Sequence, residues 1–156
     1  MLRRFVVFTV IALSVISCVA CSSGGAFLLD PQQALDTILA EVSFTDTLME
    51  VNESTVTNFY PGLADITESY AIRISATAIT TEEIAVVKAK EGSTAADVRA
   101  KLEARINEQK FRYESYLPEQ LPKLENAVME IKGDYVVLVV CDDEAKAKAV
   151  VARLLK

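Results

Sequence analysis

The run Tyr135-Val136-Val137-Leu138-Val139-Val140-Cys141 constrains the fold most. Branched side chains dominate it, and these favour extended backbone over helix. Successive residues of a strand point to opposite faces of the sheet, so an apolar residue at every position calls for cover on both sides. In an antiparallel sheet this predicts a central strand buried on both faces, or one face buried by a partner. Gly133-Asp134 precedes the run, and Ala127 to Lys132 lies just upstream. Glycine supplies the positive φ of a primed two-residue turn, so the segment predicts a β-hairpin.

A second hairpin is predicted earlier. From Glu68 to Ser75, Tyr70, Ile72 and Ile74 fall on one face and Ala71, Arg73 and Ser75 on the other, as in a half-buried strand. Ile84 to Ala89 returns after a loop through Thr80 and Thr81, and Gly92 ends it. Between the hairpins, Ala95, Val98, Leu102, Ile106, Gln109 and Tyr113 recur at three and four residues, the face of a long helix. Ser93 or Thr94 can cap that helix, with Asp97 near its positive end; Leu117-Pro118 stops it, and Pro122 keeps the next stretch irregular.

Two further helices flank these elements. Asp30 can cap the first, with Pro31 at its first position and Gln33 able to reach back. Its buried face is Ala34, Leu35, Ile38, Leu39 and Val42. The last is capped by Asp142, with Val150, Val151, Leu154 and Leu155 as its apolar stripe. Asn52 can cap a short helix that Tyr60-Pro61-Gly62 ends. The expected fold is α+β: a four-stranded, largely antiparallel sheet from two hairpins, a long helix between them, and a C-terminal and an N-terminal helix packed on it.

The N-terminus carries a different message. Arg3 and Arg4 precede Phe5 to Ile16, which has no charge and no proline, as in a secretory signal. Phe5 to Cys21 is 17 residues, at the lower limit for crossing the hydrocarbon core. Ser14, Ser17 and Cys18 weaken its last third, which favours a cleaved signal over a retained anchor. Cys18 has aliphatic Val15 three places before it and small Ser17 just before it, the order of a lipobox. Cys21 is the alternative lipidation site, because Ser22-Ser23-Gly24-Gly25 follows it as a flexible tether. The expected organisation is a lipoprotein signal peptide at 1–17, a lipidated tether at 18–29 and one α+β domain at 30–156. The protein is expected on the outer face of the cytoplasmic membrane, held by acyl chains.

Composition narrows the chemistry. Loss of Arg3 and Arg4 leaves 14 basic against 22 acidic residues, and the formal charge moves from -6 to -8. Such a surface is repelled by anionic lipid, so the lipid anchor must do the holding. No basic patch interleaved with aromatics is present, which argues against nucleic acid. The chain has no histidine, so Ser-His and Cys-His nucleophile systems are excluded. Cys141 is the one thiol beyond the signal region and reads as a small buried apolar residue; a disulfide framework is excluded.

Several polar clusters have two readings. Asp142-Asp143-Glu144 is dense enough for calcium or magnesium, but it lacks the ligand spacing and glycine of a calcium loop, and helix capping explains it. Glu82-Glu83 could pair with a distant acid as in a glycosidase; a solvated strand entrance is the simpler expectation. Glu103, Arg105, Glu108 and Arg112 read as a solvated helix face. Tyr113, Tyr116, Leu117 and Pro118 either close the core or form a recognition surface. No catalytic, cofactor-binding or metal residue is assigned.

Several spaced segments together carry a resemblance: Glu83-Ile84-Ala85-Val86-Val87-Lys88-Ala89-Lys90, Arg105-Ile106-Asn107-Glu108-Gln109, Tyr116-Leu117-Pro118, Leu124-Glu125-Asn126-Ala127 and Gly133-Asp134-Tyr135-Val136. From about residue 31 onward the chain resembles a family of small bacterial lipoproteins, a domain-of-unknown-function family common in Gram-positive anaerobes. The resemblance implies an exported lipoprotein and carries over no functional residue. The functional expectation is a membrane-tethered binding or accessory module with an envelope protein or other envelope component as partner. The alternative is a carboxylate- or metal-dependent hydrolase of envelope polymers. The residue types lean against an enzyme.

Overall fold

The structure is a computed structural model that describes residues 27–91 and 93–156. The signal segment, Cys18, Cys21 and Gly92 lie outside the described residues. The elements run α1 (Pro31–Glu41), β1 (Leu48–Glu50), α2 (Glu53–Phe59), β2 (Thr67–Ser75), β3 (Glu83–Ala89), α3 (Ala95–Glu114), α4 (Leu121–Glu125), β4 (Val128–Lys132), β5 (Tyr135–Val140) and α5 (Glu144–Leu154). Single 3-10 turns at Ala64–Ile66 and Pro118–Gln120 precede β2 and α4.

The sheet has five strands, not four, in the order β1-β2-β3-β5-β4, and every neighbouring pair is antiparallel. Both expected hairpins form. The additional strand, β1, has three residues and pairs Leu48 with Ser75 and Glu50 with Arg73. A strand so short shows no alternation that sequence pattern can read. Gly133 turns the second hairpin with φ +56.

β5 is buried along its whole length and lies between β3 and β4, as its composition predicts. Helices cover both faces. Val136, Leu138 and Val140 join Ala85 and Val87 against Val56 of α2, Val98 and Leu102 of α3 and Leu124 of α4. Val137, Val139, Ile84 and Val86 meet Leu35 and Ile38 of α1 and Ala147, Val150 and Val151 of α5. Each of the valines, leucines and isoleucines contributes about 1.5–3 kcal/mol by leaving water. Arg153 reaches across to Glu41 and joins α5 to α1.

The helix ends follow local chemistry. The Asp30 side chain accepts from the Gln33 backbone N–H, and Asn52 from that of Thr55. Thr94 and Asp97 close a full capping box on α3. α5 is capped by Asp143 rather than Asp142, because the Asp143 side chain accepts from the Lys146 N–H. The stretch after Leu117 is more regular than expected. Pro118 and Pro122 fall in the first positions of short helical turns, where a missing N–H costs nothing.

Candidate functional site

The polar centre of the domain lies at the end of the sheet where β2 leaves and β3 begins. Glu82 and Glu83 stand there, and the expectation of a solvated strand entrance is overturned: each is 1% exposed. As neighbours at the start of a strand they serve different partners.

Glu83 faces α3. Gln109 Nε2 donates to its Oε2 at 2.7 Å and Arg105 Nε at 3.3 Å. Arg105 is therefore not on a solvated helix face; it is 7% exposed, whereas Glu103, Glu108 and Arg112 on the same helix are open to water. Its guanidinium lies 5.2 Å from the Phe59 ring centroid and 5.6 Å from that of Tyr60. The Tyr60 hydroxyl sits beside the same carboxylate. Tyr60 Oη and Glu83 Oε1 are both buried without a well-formed hydrogen bond. Burial pushes the Glu83 carboxyl above its ordinary range against the pull of Arg105. Burial also works against the Arg105 charge, but Glu83, Tyr60 and Glu108 outweigh it and raise the guanidinium. The Tyr60 phenol is pushed well up, first by burial and then by the Glu83 charge.

Glu82 is held by a closed set of donors. Its carboxylate accepts from the backbone N–H groups of Thr45 and Asp46, the Thr45 hydroxyl and Lys123 Nζ. Burial opposes its charge, but these donors prevail and its pKa is lowered. Lys123 continues to Asp142 at 2.9 Å. Asp142 thus pins a buried lysine instead of capping α5.

A cavity of about 180 Å³ opens beside Glu83, walled by Met49, Phe59, Ile74 and Tyr113, with Gln109 and Arg112 also on its lining. The β2–β3 loop forms its other wall. Tyr113 shares its hydroxyl proton between the carbonyls of Ala78, at 2.9 Å, and Thr80, at 3.1 Å. Tyr113 therefore closes the core, while Tyr116 is 71% exposed. Ala78 holds φ +57, a left-handed conformation that costs a non-glycine residue of order 1–3 kcal/mol. The Asp46 carboxylate fastens the loop through Ser75 Oγ at 2.5 Å and Thr77 Oγ1 at 2.6 Å. These donors bring its pKa down to about 2.

The cavity lies far from where the chain enters the domain. The Phe27 ring meets Tyr135 edge-on at 5.6 Å. Tyr135 pairs with Lys88, and Glu83 with Val140, at opposite ends of the β3–β5 ladder. Five residues of strand separate those ends, about 17 Å.

Of the features picked out by sequence, the fold brings Glu83, Arg105 and Tyr113 to one place and joins Glu82 to Asp142 through Lys123. Glu103 and Glu108 remain outside, and Cys18 and Cys21 lie outside the described residues. Sequence pattern alone gives Tyr60, Gln109, Lys123 and Thr45 no site role. One signal was available: Arg105 and Gln109 continue the spacing of Val98 and Leu102, and polar groups on a buried helix face require buried partners. Cys141 is a buried free thiol, its pKa pushed by burial up to about 11.

The spaced segments now have a place. They form β3, the polar part of α3, α4 and the second hairpin, and the family model described as Domain of unknown function (DUF4358) matches residues 40–141. The chain belongs to the DUF4358 family. The matched region holds Glu82, Glu83, Arg105, Gln109 and Lys123, and stops before α5. No curated protein and no solved structure matches this DUF4358 chain. Among the described residues no helix is long and apolar enough to cross a membrane, and no three His, Cys, Asp or Glu side chains gather to hold a metal.

Proposed function

We propose that this DUF4358 protein is an extracytoplasmic lipoprotein, anchored through Cys18 or alternatively Cys21, whose domain is a binding module with its ligand site in the Glu83 cavity. One observation carries the binding site: an open cavity of about 180 Å³ lies against the buried Glu83–Arg105 pair, with Gln109 and Arg112 also on its lining. A pocket with a few convergent polar groups is the ordinary form of a small-ligand site. The anchor rests on the order of residues Arg3 to Cys18. Entry of the chain beside Tyr135 supports an arrangement in which the cavity points away from the membrane.

Paired-carboxylate hydrolysis finds less support. Glu82 spends its oxygens on Thr45, Asp46 and Lys123, so it does not face Glu83 across a substrate-sized gap.

Native mass spectrometry of the full chain extracted from its own membranes tests the site. A small-molecule adduct is expected on the wild type and not on Met49→Trp, which fills the mouth. Identical spectra for the two proteins would remove the cavity as the site. Acyl-chain labelling tests the anchor: Cys18→Ala should lose label and leave the membrane fraction. If Cys18→Ala, Cys21→Ala and the double variant all keep label and location, the anchor reading falls.

A further inference from the structure

The two edges of the sheet are finished differently. β1 has three residues, and the Leu48 carbonyl on its outer side accepts from Arg73 Nη1 at 3.3 Å. β4 has five residues and no proline, and its ladder with β5 runs without a bulge. The Ala89 N–H donates to the Asp134 carbonyl, so the backbone of Tyr135, Val137 and Val139 faces β4 rather than β3. Their partners Lys132, Glu130 and Val128 bond inward, and the N–H and C=O groups of Met129 and Ile131 point away from the sheet. Among the described residues no other backbone group of the chain pairs with them. A row of such groups is a template for a further strand.

The side chains of β4 indicate which strand. Ile131 is 39% exposed, and Met129 lines a groove of about 250 Å³ with Ile106 and Leu124. Glu130 and Lys132 are exposed, and neither forms an ion pair among the described residues. Charges of one sign on this edge would repel a second copy; opposite signs two residues apart complement one.

Two β4 strands related by a twofold axis must set odd positions opposite odd positions, so that open backbone groups meet. With Met129 opposite Ile131, Glu130 meets Glu130 of the second copy, and like charges directly opposite are destabilising. With Met129 opposite Met129, Glu130 meets Val128 and Lys132 meets Asn126, and no charge is paired. With Ile131 opposite Ile131, Glu130 meets Lys132 twice, at non-hydrogen-bonded positions where side chains come closest. Met129 then faces Gly133, where a Cβ would meet nothing within 4 Å.

We propose that β4 is a self-association edge: two copies of this chain pair through it, antiparallel and centred on Ile131, with Glu130 of each opposite Lys132 of the other. Met49 and Ile74, which wall the cavity beside Glu83, belong to β1 and β2 on the other side of the sheet, so the association leaves that cavity open. The overlap, residues 129–133, is far smaller than the roughly 20–30 residues a side of a stable interface. The association is therefore transient, and a covalent trap detects it.

The test is oxidative cross-linking of the full-length chain in detergent, with the unsubstituted chain as the baseline for its own cysteines. Opposed Ile131 positions bring their Cα atoms to about 5.5 Å, within disulfide range. Ile131→Cys should form a dimer severalfold faster than Glu130→Cys, Met129→Cys or Glu50→Cys, the last on the β1 edge. With Cys at position 131, adding either Glu130→Lys or Lys132→Glu should slow the dimer by about threefold or more, and adding both should restore it. These side chains are exposed, and an unchanged melting midpoint shows that each variant is folded. Cross-linking of Ile131→Cys no faster than that of Glu50→Cys overturns the β4 edge. Faster trapping at position 130 or 129 overturns the register, and a double charge swap that fails to restore the dimer overturns the pairing of Glu130 with Lys132.

Discussion

Glu83 and Arg105 are 22 residues apart in sequence and form an ion pair at 3.3 Å, with 1% and 7% of their side chains exposed. A buried pair of this kind is costly to break from one side, because the remaining charge keeps its desolvation penalty. Arg105→Met should therefore destabilise the domain by about 3–5 kcal/mol. The double variant Glu83→Leu with Arg105→Met should recover most of that loss. Urea denaturation of the three proteins checks it; equal losses in the single and double variants would show that the pair is not the cause.

The two neighbouring glutamates should give opposite pH dependence. Glu83 has a raised pKa in the folded state, so its contribution is full below 4.5 and is lost as pH rises through the folded value. Glu82 has a lowered pKa, so its contribution is present above 4.5 and is lost as pH falls through its folded value. Stability curves between about pH 3 and pH 7 are compared with those of Glu83→Gln and Glu82→Gln. With rising pH, the wild type should lose ground against the first variant and gain against the second.

Thr94→Ala removes the hydroxyl that accepts from the Asp97 N–H and donates to its carboxylate at the start of α3, and leaves the backbone half of the capping box. The expected loss is about 1 kcal/mol, within a range of about 0.5–2. The denaturant midpoint should fall while the slope of the transition stays the same, since the unfolded surface does not change.

Cys141 is 4% exposed and its pKa is about 11, so little thiolate exists near neutral pH. Iodoacetamide should leave the Cys141 peptide unmodified in the native chain and modify it once urea unfolds the domain. Rapid native labelling would show a more open end to β5.

Gly133 holds φ +56, and a Cβ there would meet nothing within 4 Å. Gly133→Asn should be nearly neutral, because asparagine tolerates this conformation, whereas Gly133→Val should cost about 1–2 kcal/mol. Thermal melts distinguish the two outcomes.

Local pattern determined much of this protein. The unbroken apolar run of β5 called for cover on both of its faces, Gly133 placed its hairpin, and three- and four-residue spacing drew the buried face of α3. Those features depend on residues within a few positions of one another, where backbone chemistry and periodicity act directly. The five-strand order, the burial of Glu82 and Glu83, and the choice of Arg105, Gln109, Tyr60 and Lys123 as their partners arose only in three dimensions. A charged residue looks the same in sequence whether it is solvated or paired. Its environment is set by elements distant in sequence, as the separations of 22 between Arg105 and Glu83 and 41 between Lys123 and Glu82 show.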